Sequence, residues 1–173
     1  MLEIGMICAE AGEKIARVSA NMAMAADMEV RASSTATTGA YSSACQRGLP
    51  AILMERGGGG RFTDSEVQAY KRDVKNIMIR MGLLSGEEVH TVQQKNVTRA
   101  EYLEVETDGL WYPVFSAGDT FAGGAVLGTV RDIWGNLLRE YRADYPGIVL
   151  YQTVGLGVKT GDPLIAYGEY VDR

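Results

Sequence analysis

The hydrophobic rhythm of the chain changes once, at a polar, aperiodic stretch from Gly86 to Asn96, and that break limits the fold more than any single motif. Before it, apolar residues recur at helical spacing in two long segments. Ile15, Val18, Met22 and Ala25 mark an amphipathic helix over Ala11 to Ala26, and Val67, Tyr70, Val74, Ile77, Met78 and Met81 mark a longer one. The second opens on Thr63-Asp-Ser-Glu66, the spacing of a capping box. Between them Met28 to Ser33 alternates apolar and polar, which predicts a strand with one solvated face and suggests a sheet edge. A Ser/Thr-rich loop then offers N-caps to a short helix over Gly39 to Gln46, stopped by Gly48 and Pro50.

After the break, short β-like runs replace the helices: Ala100 to Glu106, Gly109 to Phe115, Ala125 to Asp132, Ile148 to Thr153 and Leu164 to Tyr167. Gly-Asp, Gly-Gly and Pro-Gly turns separate them, as in an all-β module. Gly118-Asp119 and Gly161-Asp162 sit in similar surroundings and predict two equivalent turns, the mark of a pseudo-symmetric fold. The expected organisation is a partial α/β domain over residues 1–85, a linker over 86–97 and a small, barrel-sandwich-like β domain over 98–173.

The chemistry concentrates at one place. Ala51 to Met54 is apolar on both faces and predicts a buried, parallel strand. It ends at Glu55, followed by Arg56 and four glycines, Gly57 to Gly60. Open α/β sheets place ligand chemistry beyond the carboxyl ends of their strands, so Glu55 is a candidate general base. A surface ion pair with Arg56 or Arg61 is the plainer explanation of the same acid. The glycines let backbone pass close to a ligand, and Gly58, Arg56 and Arg61 are candidate substrate contacts, with Tyr41 and Thr35, Thr37 and Thr38 from the preceding loop. A phosphate-binding loop is disfavoured, because Arg61-Phe62 stands where Lys-Ser/Thr is needed and Phe62 also breaks the dinucleotide pattern, while an anion such as a substrate carboxylate at the following helix N-terminus stays open.

Composition narrows the partners. A net charge of −5 with scattered basic residues leaves no stripe for nucleic acid. No apolar stretch approaches the roughly 20 residues of a membrane span, and the acid-bearing N-terminus is a poor secretory signal. The two cysteines, Cys8 and Cys45, have no metal or redox spacing and point to a reducing compartment, so a cytoplasmic location is expected.

Several runs occur together: Arg47-Gly-Leu-Pro50, Ile52-Leu-Met-Glu55-Arg-Gly-Gly58 with Gly60, Glu66-Val67, Val74-Lys-Asn76 and Met81-Gly82-Leu83. Asp108-Gly-Leu-Trp111, Val114, Gly118-Asp119, Gly124, Leu127-Gly128, Asp132-Ile-Trp-Gly135, Pro146-Gly147, Val158 and Gly161-Asp162 continue them. The combination resembles the succinylglutamate desuccinylase/aspartoacylase family of zinc-dependent deacylases, relatives of the zinc carboxypeptidases. It covers nearly the whole chain but only the C-terminal part of the family's usual length.

The resemblance implies a zinc-carboxypeptidase-like α/β layer, a β domain that shields the pocket, and Glu55 as general base and acid in hydrolysis of an acyl-amino-acid-like small molecule by a homo-oligomer. It also implies zinc, whose family ligands, a His-x-x-Glu pair and a later His, have no counterpart here. The lone histidine, His90, lies in the predicted linker beside Glu87 and Glu88, outside any such motif. The competing expectation is a non-catalytic protein that binds small carboxylates or assembles through the edge formed by Met28 to Ser33. A carrier domain is disfavoured, since Lys159 precedes a turn and is not flanked by methionines.

Overall fold

The computed structural model describes residues 2–8 and 12–171, with Cys8 described in its backbone only; Ala11 and the Cys8 thiol lie outside the described residues. The chain divides into two units, Met1–Thr98 with Val171–Arg173, and Arg99–Tyr170.

The first unit runs β1 (Ile4–Cys8), α1 (Glu13–Ala25), β2 (Val30–Ser34), α2 (Ala40–Gln46), β3 (Ile52–Glu55) and α3 (Asp64–Arg80). It then enters β4 (Lys95–Glu104), which starts here and continues into the second unit. β1 pairs with β2 in parallel, Ile4 opposite Val30, and with β3 antiparallel, Ile4 opposite Glu55. β2 pairs in parallel with the start of β4 as well, Val30 opposite Lys95.

Two expectations are corrected here. β2 is an interior strand with a neighbour on each side. Its alternation, buried at Val30, Ala32 and Ser34, reports one wetter face and says nothing of its backbone edges. The all-apolar run forms β3, which is half-buried, antiparallel, and bonded to β1 alone among the described strands. Its own side chains from Ile52 to Met54 are apolar on both faces, while among the described residues no strand borders its outer backbone.

α3 begins on the predicted capping box: the Thr63 hydroxyl accepts from the Glu66 N–H, and the Glu66 carboxylate accepts from the Thr63 N–H at 2.6 Å. Its most buried positions are not the expected apolar stripe but Ala69, Asp73 and Asn76, while Val74 and Met81 are exposed. Polar residues can face inward because each is satisfied. Asn76 donates to the carbonyls of Ala25 and Val89 and accepts from the Val89 N–H. Asp27, fully buried, accepts from the N–H groups of Thr91 and Val92 and from the Thr91 hydroxyl at 2.6 Å, and pairs with Arg72. The segment expected as a linker is therefore stitched along the first unit. α2 lacks the expected side-chain cap, since Gly39 occupies its N-cap. Its end follows the sequence: Gly48 takes a φ of 84° and its N–H bonds the Cys45 carbonyl.

The second unit holds β5 (Gly109–Pro113), β6 (Thr120–Phe121), β7 (Val126–Arg131), β8 (Leu137–Arg142), β9 (Gly147–Gln152), β10 (Gly157–Val158) and β11 (Pro163–Val171). One antiparallel sheet has the order β10-β5-β7-β8, and β9 pairs antiparallel with β11 and β6. No closed barrel forms among the described residues. The core gathers Trp111, Leu127, Val130, Tyr141, Val149, Ile165 and Tyr167, each such large side chain contributing roughly 1.5–3 kcal/mol on burial. Trp111 meets Tyr141 edge-on at 5.7 Å.

The two Gly-Asp turns match bond for bond. In each, the aspartate carboxylate accepts from a backbone N–H three residues earlier, Ser116 at 2.8 Å and Lys159 at 2.9 Å. The glycines have φ of 94° and 88°, which a side chain would strain. Gly118 donates to the Val149 carbonyl and Gly161 to that of Val105, and both valines donate back to the paired aspartate carbonyls.

Candidate active site

Glu55 is the last residue of β3 and is exposed. Among the described residues no donor bonds its carboxylate, so the ion pair with Arg56 or Arg61 does not form. The backbone on either side of it is fixed from α3. The Tyr70 hydroxyl accepts from the Arg56 N–H at 2.9 Å and donates to the Met54 carbonyl at 3.3 Å.

The next side chain points the other way. The Arg56 side chain is 1% exposed, donating through Nε and Nη2 to Asp73 Oδ2 at 2.9 and 2.7 Å and through Nη2 to the Asp27 carbonyl at 2.8 Å. It also pairs with Glu3 and lies 5.8 Å from the Tyr70 ring centroid. Burial alone would pull the guanidinium's pKa down, but the bonds to Asp73 and Glu3 outweigh it and the net shift is upward. Asp73 keeps its second oxygen for the Asp27 N–H at 2.8 Å. Arg56, expected at the substrate, is thus engaged inside the first unit.

Beyond it the glycines form a tight turn. Gly58 and Arg61 make a lone bridge, and Gly59 and Gly60, between them, have φ of 60° and 69°. Positive φ at both central residues is the mark of a type I′ turn, which favours glycine. Gly57, at φ 75°, lies so close to Arg61 and Glu66 that an added Cβ would stand 3.2 Å from each. Gly58 and Arg61 are exposed on this turn. Tyr41 is half-buried on α2, and no hydrogen bond ties it to Glu55 among the described residues. The helix N-terminus behind the turn is filled by its own Thr63–Glu66 box, which leaves less of it for an anion.

The residues fit zinc poorly. Among the described residues no group of three or more His, Cys, Asp or Glu could hold a metal ion. His90 Nε2 lies 2.9 Å from Glu88 Oε2, and Glu88 also takes the Arg80 guanidinium, whose bond does most to hold its carboxyl below the usual range. Tyr70 and Asp73 escaped sequence reasoning, which treated the first as core and passed over the second. Their signal was polarity inside an otherwise apolar helical stripe, at positions set by the Thr63 cap.

No protein-family model matches the chain. It is similar to the N-alpha-acetyl-L-2,4-diaminobutyric acid deacetylase of Halomonas elongata, 28% identical over 127 residues, covering 70% of this chain and 37% of that protein. The product-bound structure of the ectoine utilization protein EutE (DoeB) from Ruegeria pomeroyi matches with a TM-score of 0.83 at 21% identity, over 96% of this chain and 53% of that one. The succinylglutamate desuccinylase/aspartoacylase structure from Rhodobacter sphaeroides gives 0.80 at 20% identity, over 99% and 54%. The chain spans about half the length of these structures. Over nearly all of its own length it carries the fold of succinylglutamate desuccinylase/aspartoacylase structures, and its similar curated protein is a deacetylase.

Proposed function

We propose that this chain provides the proton-transferring acid of an amide hydrolase that acts on N-acyl amino acids or related compounds. The observation that carries the reading is Glu55 itself: an exposed carboxylate with no donor among the described residues, at the end of a strand whose flanking backbone is held on both sides. A carboxylate so placed can accept a proton from water as its oxygen attacks the amide carbon. It can return that proton to the nitrogen as the C–N bond breaks, leaving a free carboxylic acid and an amine. The similar curated protein removes an acetyl group from an amino acid, which supports a small acylated amino acid as substrate. Gly58 and Arg61, exposed on the glycine turn, are proposed to meet the substrate carboxylate, and Tyr41 to add a hydroxyl. Arg56 acts from within, as a support.

Zinc, which the resemblance implies, finds no adequate ligand set among the described residues, and no step is assigned to it. A buried, free Cys45 suits a reducing compartment, and we place the protein in the cytoplasm. Assembly as a homo-oligomer is proposed, but not through β2, which has a strand on each side.

The test is amine release from a panel of Nα-acetyl and Nα-succinyl amino acids, with zinc content measured in the same preparation. Glu55→Gln is expected to lower release at least about 100-fold, the usual scale of general acid–base catalysis. Equal rates, or no release from any member of the panel, would overturn the hydrolase. Binding of the same compounds without turnover would select the carboxylate-binding alternative.

A further inference from the structure

We propose that Tyr70 is a positioning residue for Glu55, its hydroxyl bonding the outer backbone of β3 where no strand does so among the described residues; this rests on the reading of Glu55 as the proton-transferring acid. In an extended strand the carbonyl of one residue and the N–H of the residue two further on face the same side. For the pair that brackets Glu55, these are the Met54 carbonyl and the Arg56 N–H. A neighbouring strand would satisfy them with two peptide groups. Here one phenol does both, accepting from Arg56 at 2.9 Å and donating to Met54 at 3.3 Å.

The grip is backed at two more points along α3. One turn beyond Tyr70, Asp73 holds the Arg56 guanidinium, which itself lies over the Tyr70 ring. One turn before it, the Glu66 carboxylate closes the capping box and sits against Gly57. The helix therefore holds residues 54, 56 and 57 while leaving the Glu55 side chain unbonded, so the acid is aimed without being consumed. Backbone freedom at this edge would smear the carboxylate over several directions, and proton transfer needs it within hydrogen-bond reach of one point.

The test uses the isotope-labelled full chain with Tyr70→Phe, which keeps the ring and removes only the oxygen. Amide exchange at Arg56 is expected to quicken about three- to tenfold, the scale of one lost hydrogen bond. The three-bond couplings that report the Glu55 χ1 angle are expected to move toward averaged values. Val30, whose N–H bonds the Glu3 carbonyl on the other side of β1, is the internal control and keeps its wild-type exchange. Unchanged Arg56 exchange and Glu55 couplings would overturn the proposal. So would general loss of protection including Val30, which would make Tyr70 a core residue and nothing more. Neither readout uses metal, substrate or turnover, so the failure of the hydrolase reading, seen in the Glu55→Gln assay, remains separate from the failure of this one.

Discussion

Removing the buried guanidinium is the sharpest test of how the acid is supported. Arg56→Ala deletes two bonds to Asp73, one to the Asp27 carbonyl, the contact with Glu3 and the cation–π contact with Tyr70. Breaking a buried pair by deleting one partner costs about 3–5 kcal/mol, because the other charge stays buried without compensation. Two features place this case at the lower end. Asp73 retains its bond from the Asp27 N–H, and Glu3, 24% exposed, can rehydrate. A loss of about 3–4 kcal/mol is then expected from a total of roughly 5–15 kcal/mol for a domain. With a urea slope near 2 kcal/mol per molar, the midpoint should fall by about 1.5–2 M. The far-ultraviolet helical signal is the right probe, since all three described helices lie in the first unit. Arg56→Lys keeps a charge for Asp73 but gives up the forked contact and the Asp27 carbonyl, so it should lose about 2 kcal/mol, two hydrogen bonds' worth. A midpoint for Arg56→Ala within about 0.2 M of wild type would show a solvated guanidinium and refute the buried network, on that same slope.

Two further outcomes follow from other sites. Burial by itself raises the Asp27 carboxyl's pKa, but the bonds from Thr91 and Val92 and the charge of Arg72 bring the net value below the ordinary range. A depressed carboxyl stabilises the fold above its unfolded pKa and loses that contribution as pH falls through the folded value, so the acid limb should begin below about pH 4. Asp27→Asn should flatten that limb in urea titrations of the helical signal, and an unchanged pH slope would reject the assignment. In the second unit, a Cβ at Gly128 would stand 2.3 Å from the Trp111 ring, so Gly128→Ala should cost about 1–3 kcal/mol by overpacking. Tryptophan fluorescence should show Trp111 displaced and the transition moved to lower urea, and a wild-type spectrum and midpoint would contradict the packing.

What the sequence revealed was local, and what it hid was pairing. The Thr63–Glu66 box, the stop at Gly48 and the two Gly-Asp turns depend on residues within a few positions of one another, and each formed as its spacing predicts. Strand roles went astray for a definite reason. Hydrophobic period reports which faces of a strand are wet, whereas an edge is a property of its backbone. Val30 to Ser34 has one wetter face yet lies between two strands, and Ile52 to Met54 is apolar throughout yet borders only one. β1 and β8 passed without notice because Ile4 to Cys8 is broken by Gly5, and Leu137 to Arg142 mixes two apolar residues with charges and shows no clean alternation.

The same period-two geometry reorganises the site itself. Glu55 and Arg56 are neighbours in sequence, which invites a reading in which both face the substrate. At the end of a strand, successive side chains point to opposite sides. An acid that faces solvent therefore sends the following arginine inward, and a guanidinium 1% exposed is tolerable only with carboxylates waiting for it. Asp73 and Glu3 meet that demand, one from α3 and one from the residue before β1. The cation nearest in sequence to the acid is thereby committed to fixing the turn. Arg61 differs because four glycines intervene, two of them in a type I′-like reversal that ends the strand's alternation and leaves its side chain exposed. The glycine run thus separates two arginines: the one before it is bound to α3 beside Glu55, and the one after it is exposed and is the one proposed to meet the substrate carboxylate.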